Sequence, residues 1–244
     1  MRRAGRYRHA ATRSAVLLLA VAVAACTSAA PAANAPPPLA AGAPPNLFDT
    51  QREIDGYISS GRYDADMSRV AQEAQAYLEQ RAGAVVKPAI VLDIDETSLS
   101  NWPAYKANGW ARILNGPCDL VQGPCGIRTW QSMAQSKALP ATLALARRAK
   151  ALGVAVFFIS ARPAAMRAAT ERNLRQEGYD YDGLTIYAEG AHYDSAADFK
   201  APERKRIAER GYTILLTLGD QESDLTGGYA ERAFKLPNPV YRIP

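Results

Sequence analysis

Along the chain, continuous apolar runs alternate with stretches in which apolar residues recur every three or four positions. PAIVLDID (88–95), VAVFFIS (154–160) and YTILLTLGD (212–220) each hold an unbroken apolar run, as expected of strands buried on both faces of a parallel sheet. LTIYA (184–188) predicts a shorter strand. Ahead of the first run, residues 47–84 read as helix. Asn46 or Asp49 can cap a first helix that Gly61 ends. Met67, Val70, Ala74, Tyr77 and Leu78 then share one face of a second helix, which Gly83 stops. LPATLALARRAKALG (139–153), RPAAMRAATERNLRQEG (162–178) and the polar APERKRIAERG (201–211) predict further helices. ERAFKLPNP (231–239) reads only as an end segment.

Strands that alternate with helices need right-handed crossovers, which place helices over both faces. The fold class expected is therefore α/β, a Rossmann-like parallel sheet with helices on both faces. Periodicity fails from Trp102 to Lys137, so a small irregular insert of about 102–137 is expected to cap the core. It carries all three tryptophans. With Tyr105, Trp102, Trp110 and Trp130 form either a small core of the insert or a stacking surface for a ring, and core is the simpler reading.

The apolar fraction of 48% is ordinary for a globular chain. The net charge of +5 changes the picture only until the charges are located. Arg2, Arg3, Arg6, Arg8 and Arg13 precede any acid, and the remaining 24 basic residues balance 24 acids. That excludes an evident nucleic-acid footprint. The Arg-rich start, the apolar stretch Ala15–Ala25 and the small residues after it form an export signal. It ends in VAAC (23–26), which resembles a bacterial lipobox, with Cys26 as the lipidated residue; ordinary cleavage is the alternative. The expected organisation is a signal at 1–25, an Ala/Pro-rich tether at 26–46 and one folded domain at 47–244. The destination is a bacterial cell envelope, outer membrane or periplasm, with the domain held to the membrane through lipid. In an exported protein, Cys118 and Cys125 predict a disulfide, with two free thiols as the alternative.

The candidate chemistry sits where parallel sheets collect it, at strand carboxyl ends. The first run delivers Asp93 and Asp95, two apart and able to face one point. The second delivers Ser160 and Arg162, and the fourth Asp220 and then Asp224. Lys200 lies between the third and fourth strands, near the start of the polar helix. Converging carboxylates repel unless a cation joins them, and oxygen-only ligands favour a hard ion, Mg²⁺ above all. A lysine and a hydroxyl beside that ion suit a phosphate. Only His9 and His192 are present, which leaves histidine-based hydrolases and zinc sites without their residues.

DIDET, FFISAR, Lys200 and GDQESDL match, in order, the four motifs of the haloacid dehalogenase (HAD) superfamily. DIDETSLSNWPAY, ERNLRQEGYD and FKLPNPVYRIP further resemble its acid phosphatases, subfamily IIIB, the bacterial class C and plant-type group. The resemblance implies a Mg²⁺-dependent acid phosphatase acting on a small phosphomonoester, a nucleotide being one candidate. Asp93 would be the nucleophile and Asp95 the general acid and base. Asp93, Asp220 and the Asp95 carbonyl would hold the metal, with Asp224 behind them, while Ser160, Arg162 and Lys200 would bind phosphate. Ser160-Ala161-Arg162 stands where class C enzymes carry Thr-Asn-Arg, and resembles the plant-type branch. A phosphotransferase of the same fold, or a non-catalytic storage or binding lipoprotein, is the alternative. Oligomeric state is not encoded in any of these features.

Overall fold

The computed structural model describes residues 44–243, so the export signal, Cys26 and nearly all of the tether lie outside the described residues. Helices α1 (Leu47–Ser59) and α2 (Arg62–Arg81) lead into strand β1 (Pro88–Leu92). Short strand β2 (Leu99–Ser100), α3 (Trp102–Ala107), α4 (Ile127–Met133) and β3 (Lys137–Ala138) follow. Then come α5 (Pro140–Ala151), β4 (Ala155–Ser160), α6 (Arg167–Gln176), β5 (Gly183–Ile186), α7 (Ala196–Glu209), β6 (Thr213–Gly219) and β7 (Arg232–Lys235).

The main sheet is all-parallel in the order β5-β4-β1-β6-β7. Side chains alternate across it, and each face is covered. Ile90, Leu92, Val156, Phe158, Leu216 and Leu218 pack with Met67 and Leu78 of α2, Leu145 of α5 and Leu174 of α6. Ala89, Val91, Phe157, Ile159 and Ile214 meet Phe199 and Ile207 of α7 on the other face. From β1 the chain winds outward to β4 and β5, then returns to β6 on the opposite side of β1. The loops after β1 and β6 therefore diverge and open a crevice at their carboxyl ends.

Three local features differ from the sequence expectation. The end segment contains a fifth sheet strand, β7, whose only buried residue is Phe234; four edge residues carry too little alternation to announce it. Helix α7 begins at Ala196, five residues before the expected start. Ser195 and Asp198 form a reciprocal capping box there, and Pro202 lies inside the helix rather than opening it. The insert is not irregular throughout: α3 and α4 are short helices of six and seven residues, below the length at which a helical period shows. Its ends are clipped together by β2 and β3, where Leu99 pairs Ala138 and Ser100 pairs Lys137. Tyr105, Trp110, Cys125, Ile127 and Trp130 are buried together in it, so these aromatics are core, and Cys118 and Cys125 are bridged.

Candidate active site

A cleft of about 360 Å³ opens above the carboxyl ends of β1, β4 and β6, and Asp93, Asp95, Ser160, Arg162, Lys200 and Asp220 all line it. The turn after β1 explains how two acids emerge from a buried strand. Asp93 N donates to Leu218 O of β6 at 3.0 Å, and Ile94 stays fully buried. Ser98 N and Leu99 N both return to Ile94 O at 2.8 Å. Such a tight return puts Glu96 in the left-handed region, φ 54°, at a cost of roughly 1 kcal/mol. Glu96 is held there through its side chain, which accepts from Asn101 N at 2.6 Å and from the Tyr241 hydroxyl at 2.7 Å. Burial first, then the charges of Asp95 and Asp220, push its carboxyl up to about 8.

Carboxylate oxygens of Asp93, Asp220 and Asp224 lie within 4.8 Å of one another, all buried. At an effective dielectric constant of about 20, two such charges repel by roughly 3 kcal/mol. The Lys200 ammonium meets part of that repulsion, at 2.5 Å from Asp93 Oδ1 and also paired with Asp224 Oδ1. Asp220 accepts from Thr97 Oγ1 at 3.1 Å, Asn238 Nδ2 at 2.7 Å and Gln221 Nε2 at 2.5 Å. Even so, burial and then the Asp224 charge raise Asp220 to about 6. The same two causes hold Asp93 well above the carboxylate range, against the pull of Lys200. One ammonium among three acids leaves the cluster short of positive charge. The donor set is oxygen-only, and the buried hydroxyl of Ser223, also on the cleft, has no hydrogen-bond partner among the described residues. These residues fit a hard divalent cation.

Within this cluster, Asp224 is held by protein donors. Its second oxygen accepts from Gln221 N at 2.8 Å while the first holds Lys200, so both are engaged by protein donors. Gly219 makes the approach feasible, because a Cβ there would collide with the Asp224 side chain. Ser160 ends β4 with its hydroxyl beside Arg162 N at 3.4 Å.

Arg162, expected among the phosphate binders, lines the cleft with its side chain turned onto Asp95. Its guanidinium is buried and forks onto Asp95, Nε to Oδ2 at 3.1 Å and Nη2 to Oδ1 at 2.7 Å, while Nη1 donates to Thr170 Oγ1 at 3.0 Å. Arg162 is therefore committed to positioning Asp95. Asn101 Nδ2 and Gln131 Nε2 donate to Asp95 Oδ1 at 2.8 and 3.0 Å. Burial alone would raise Asp95, but Arg162 and these amides outweigh it and hold its carboxyl below the usual range.

Sequence reasoning missed Asn101, Gln131, Gln221, Ser223, Asn238 and Tyr241. Asn238 and Tyr241 lie in the tail FKLPNPVYRIP, whose likeness to the family tail was a usable signal. Gln131 lies in the insert, where no pattern marks it.

Comparison with known proteins agrees with this architecture. The family model "HAD superfamily, subfamily IIIB (Acid phosphatase)" matches residues 40–244. "Stem 28 kDa glycoprotein" of Glycine max is 33% identical over 191 residues, covering 77% of this chain and 72% of its own. "Acid phosphatase 1" of Solanum lycopersicum is 30% identical over 193 residues, covering 78% and 73%. The class C acid phosphatase of Bacillus anthracis has a similar fold, with a TM-score of 0.62, 24% identity, and coverage of 80% of this chain and 86% of that one. With the family model spanning the whole folded part, the chain belongs to the HAD superfamily, subfamily IIIB, the acid phosphatase family.

Proposed function

We propose that the protein hydrolyses small phosphomonoesters by passing the phosphoryl group through Asp93. The observation that carries this reading is the meeting of Asp93, Asp220, Asp224 and Lys200 within one buried cluster on a cleft. A carboxylate oxygen of Asp93 attacks phosphorus, and the P–O bond to the leaving alcohol breaks. Asp95 gives its proton to that alcohol. Water then attacks the aspartyl-phosphate as Asp95 takes a proton from it, which releases phosphate and restores Asp93. Lys200 and Ser160 face the phosphoryl oxygens and offset their charge.

Asp93, Asp220 and the Asp95 carbonyl would hold a divalent ion, with Mg²⁺ favoured by the oxygen-only set and Asp224 behind it. When bound, that ion supplies positive charge that keeps Asp93 ionised and stabilises the charge developing on the phosphoryl group. Arg162 presents the Asp95 carboxylate and, by lowering its pKa, confines the protonated form that the leaving alcohol needs to lower pH. An acidic optimum follows. The cluster is intact in the residues that a storage or binding protein would not need, which favours the enzyme over that reading.

Turnover of a phosphomonoester panel by wild type, by Asp93→Asn and after chelation tests this directly. Asp93→Asn is expected to lose activity by at least about 10³-fold, and chelation to abolish it reversibly. Full turnover by Asp93→Asn would sink the mechanism. Wild-type inactivity across the panel would favour the storage or binding reading, and ester formation with an added alcohol acceptor the phosphotransferase. We further propose that Cys26 is acylated and tethers the domain to the envelope. Detergent-phase partitioning that persists in Cys26→Ala would refute this.

A further inference from the structure

The cleft changes character between its floor and its mouth. Every acid lining it lies on the floor and is already engaged: Asp93 with Lys200, Asp95 with Arg162, and Asp220 with Thr97, Gln221 and Asn238. Tyr105, Ile127 and Tyr241 also line it, among polar residues that include Gln131 and Gln221. Arg112 and Arg128 also line the cleft, both exposed, and neither forms an ion pair among the described residues.

The two guanidiniums are carried on segments zipped to one another. Ile127 N donates to Ile113 O at 2.8 Å and Arg128 N to Leu114 O at 3.1 Å, which ties together the two segments that bring Arg112 and Arg128 to the cleft. Thr129 Oγ1 adds a bond to Gly116 O at 2.7 Å, and the Cys118–Cys125 bridge closes the loop between the segments. Each side chain is also directed. Arg112 lies 5.3 Å from the centroid of the Tyr241 ring, and Arg128 Nη1 donates to Asn115 Oδ1 at 3.2 Å. Neither contact neutralises a charge. With a divalent ion at the cluster, the three floor carboxylates and Asp224 are matched in charge by the ion, Lys200 and Arg162. The rim charges are then surplus, and they stand where the leaving group of a bound phosphomonoester must emerge.

We propose that Arg112 and Arg128 form a second oxyanion site that selects phosphomonoesters whose leaving alcohol carries its own negative group, such as a carboxylate. Guanidinium forks match an oxyanion in shape. The proposal rests on the phosphatase reading above. The probe is a matched pair, glycerol 3-phosphate and 3-phosphoglycerate, which share a three-carbon skeleton and differ by a carboxylate. Wild type is expected to prefer 3-phosphoglycerate in kcat/KM by about fivefold, the scale of two exposed charge contacts. That ratio should fall to about one in the Arg112→Gln/Arg128→Gln variant, and in wild type at high salt, where surface charges are screened. A ratio unchanged in the variant, or equal losses on both substrates that leave the ratio where it was, would overturn the proposal. Wild-type inactivity on both of these and on the whole phosphomonoester panel would instead overturn the phosphatase reading, and this one with it.

Discussion

Replacing Lys200 by methionine isolates the electrostatics of the buried cluster, because methionine keeps the bulk and removes the charge. The Lys200 side chain is 6% exposed, and the carboxylates it pairs, Asp93 and Asp224, are 7% and 2% exposed. Removing one partner of such a buried pair costs about 3–5 kcal/mol, because the other charges stay behind uncompensated. For a domain of this size that lowers Tm by roughly 6–20 °C. The loss should depend on pH. Without Lys200, the folded-state pKa of Asp93 and Asp220 rises further above the roughly 3.9 of an unfolded aspartate. An acid whose pKa is raised by folding favours the folded state at low pH and loses that advantage as pH rises through the folded value. The deficit should therefore be largest near neutrality and shrink as pH falls through about 6, where Asp220 already titrates in the intact protein. Divalent ions should narrow it as well, since they supply the missing charge. Thermal melts at two pH values, with chelator and with Mg²⁺, read all three effects. A Tm drop that is the same at both pH values and indifferent to Mg²⁺ would refute the electrostatic account and leave only a packing defect.

Gly219→Ala is expected to cost about 1–3 kcal/mol, because the new methyl displaces Asp224 from Lys200; denaturant unfolding measures it, and kcat should fall with it. Divalent-ion affinity should weaken by at least about tenfold per pH unit below about 6, since protons compete there for Asp220 and for Asp93, which is also raised; calorimetric titration across pH 5–7 gives the slope. Replacing Cys118 and Cys125 together by serine opens the bridged loop and should lower stability by about 2.5 kcal/mol, measured by unfolding under oxidising conditions.

How far the sequence reached can be judged residue by residue. The strand runs ending in Asp93, Ser160 and Asp220 were legible, because a buried parallel strand must be continuously apolar and its carboxyl end must turn toward solvent. Unbroken apolar runs and the helical period of 3.6 are local, so the sheet, α2 and the both-sided cover followed from them. The start of α7 was obscured by Pro202, and β7 by its brevity at the sheet edge.

The ordered acids, the lysine and the tail motif thus determined fold, family and the members of the cluster. Only the tertiary structure decided how those members are divided. Arg162 belongs to Asp95 across 67 positions, Thr97 to Asp220 across 123, and Tyr241 to Glu96 across 145. Gln131 ties the insert to Asp95, and Arg112 and Arg128 line one cleft only once their segments have zipped together. The physical reason is that hydrophobic periodicity depends on near neighbours and is written in the chain. A hydrogen bond between distant side chains depends on angles and distances that exist only once the sheet and its insert have packed.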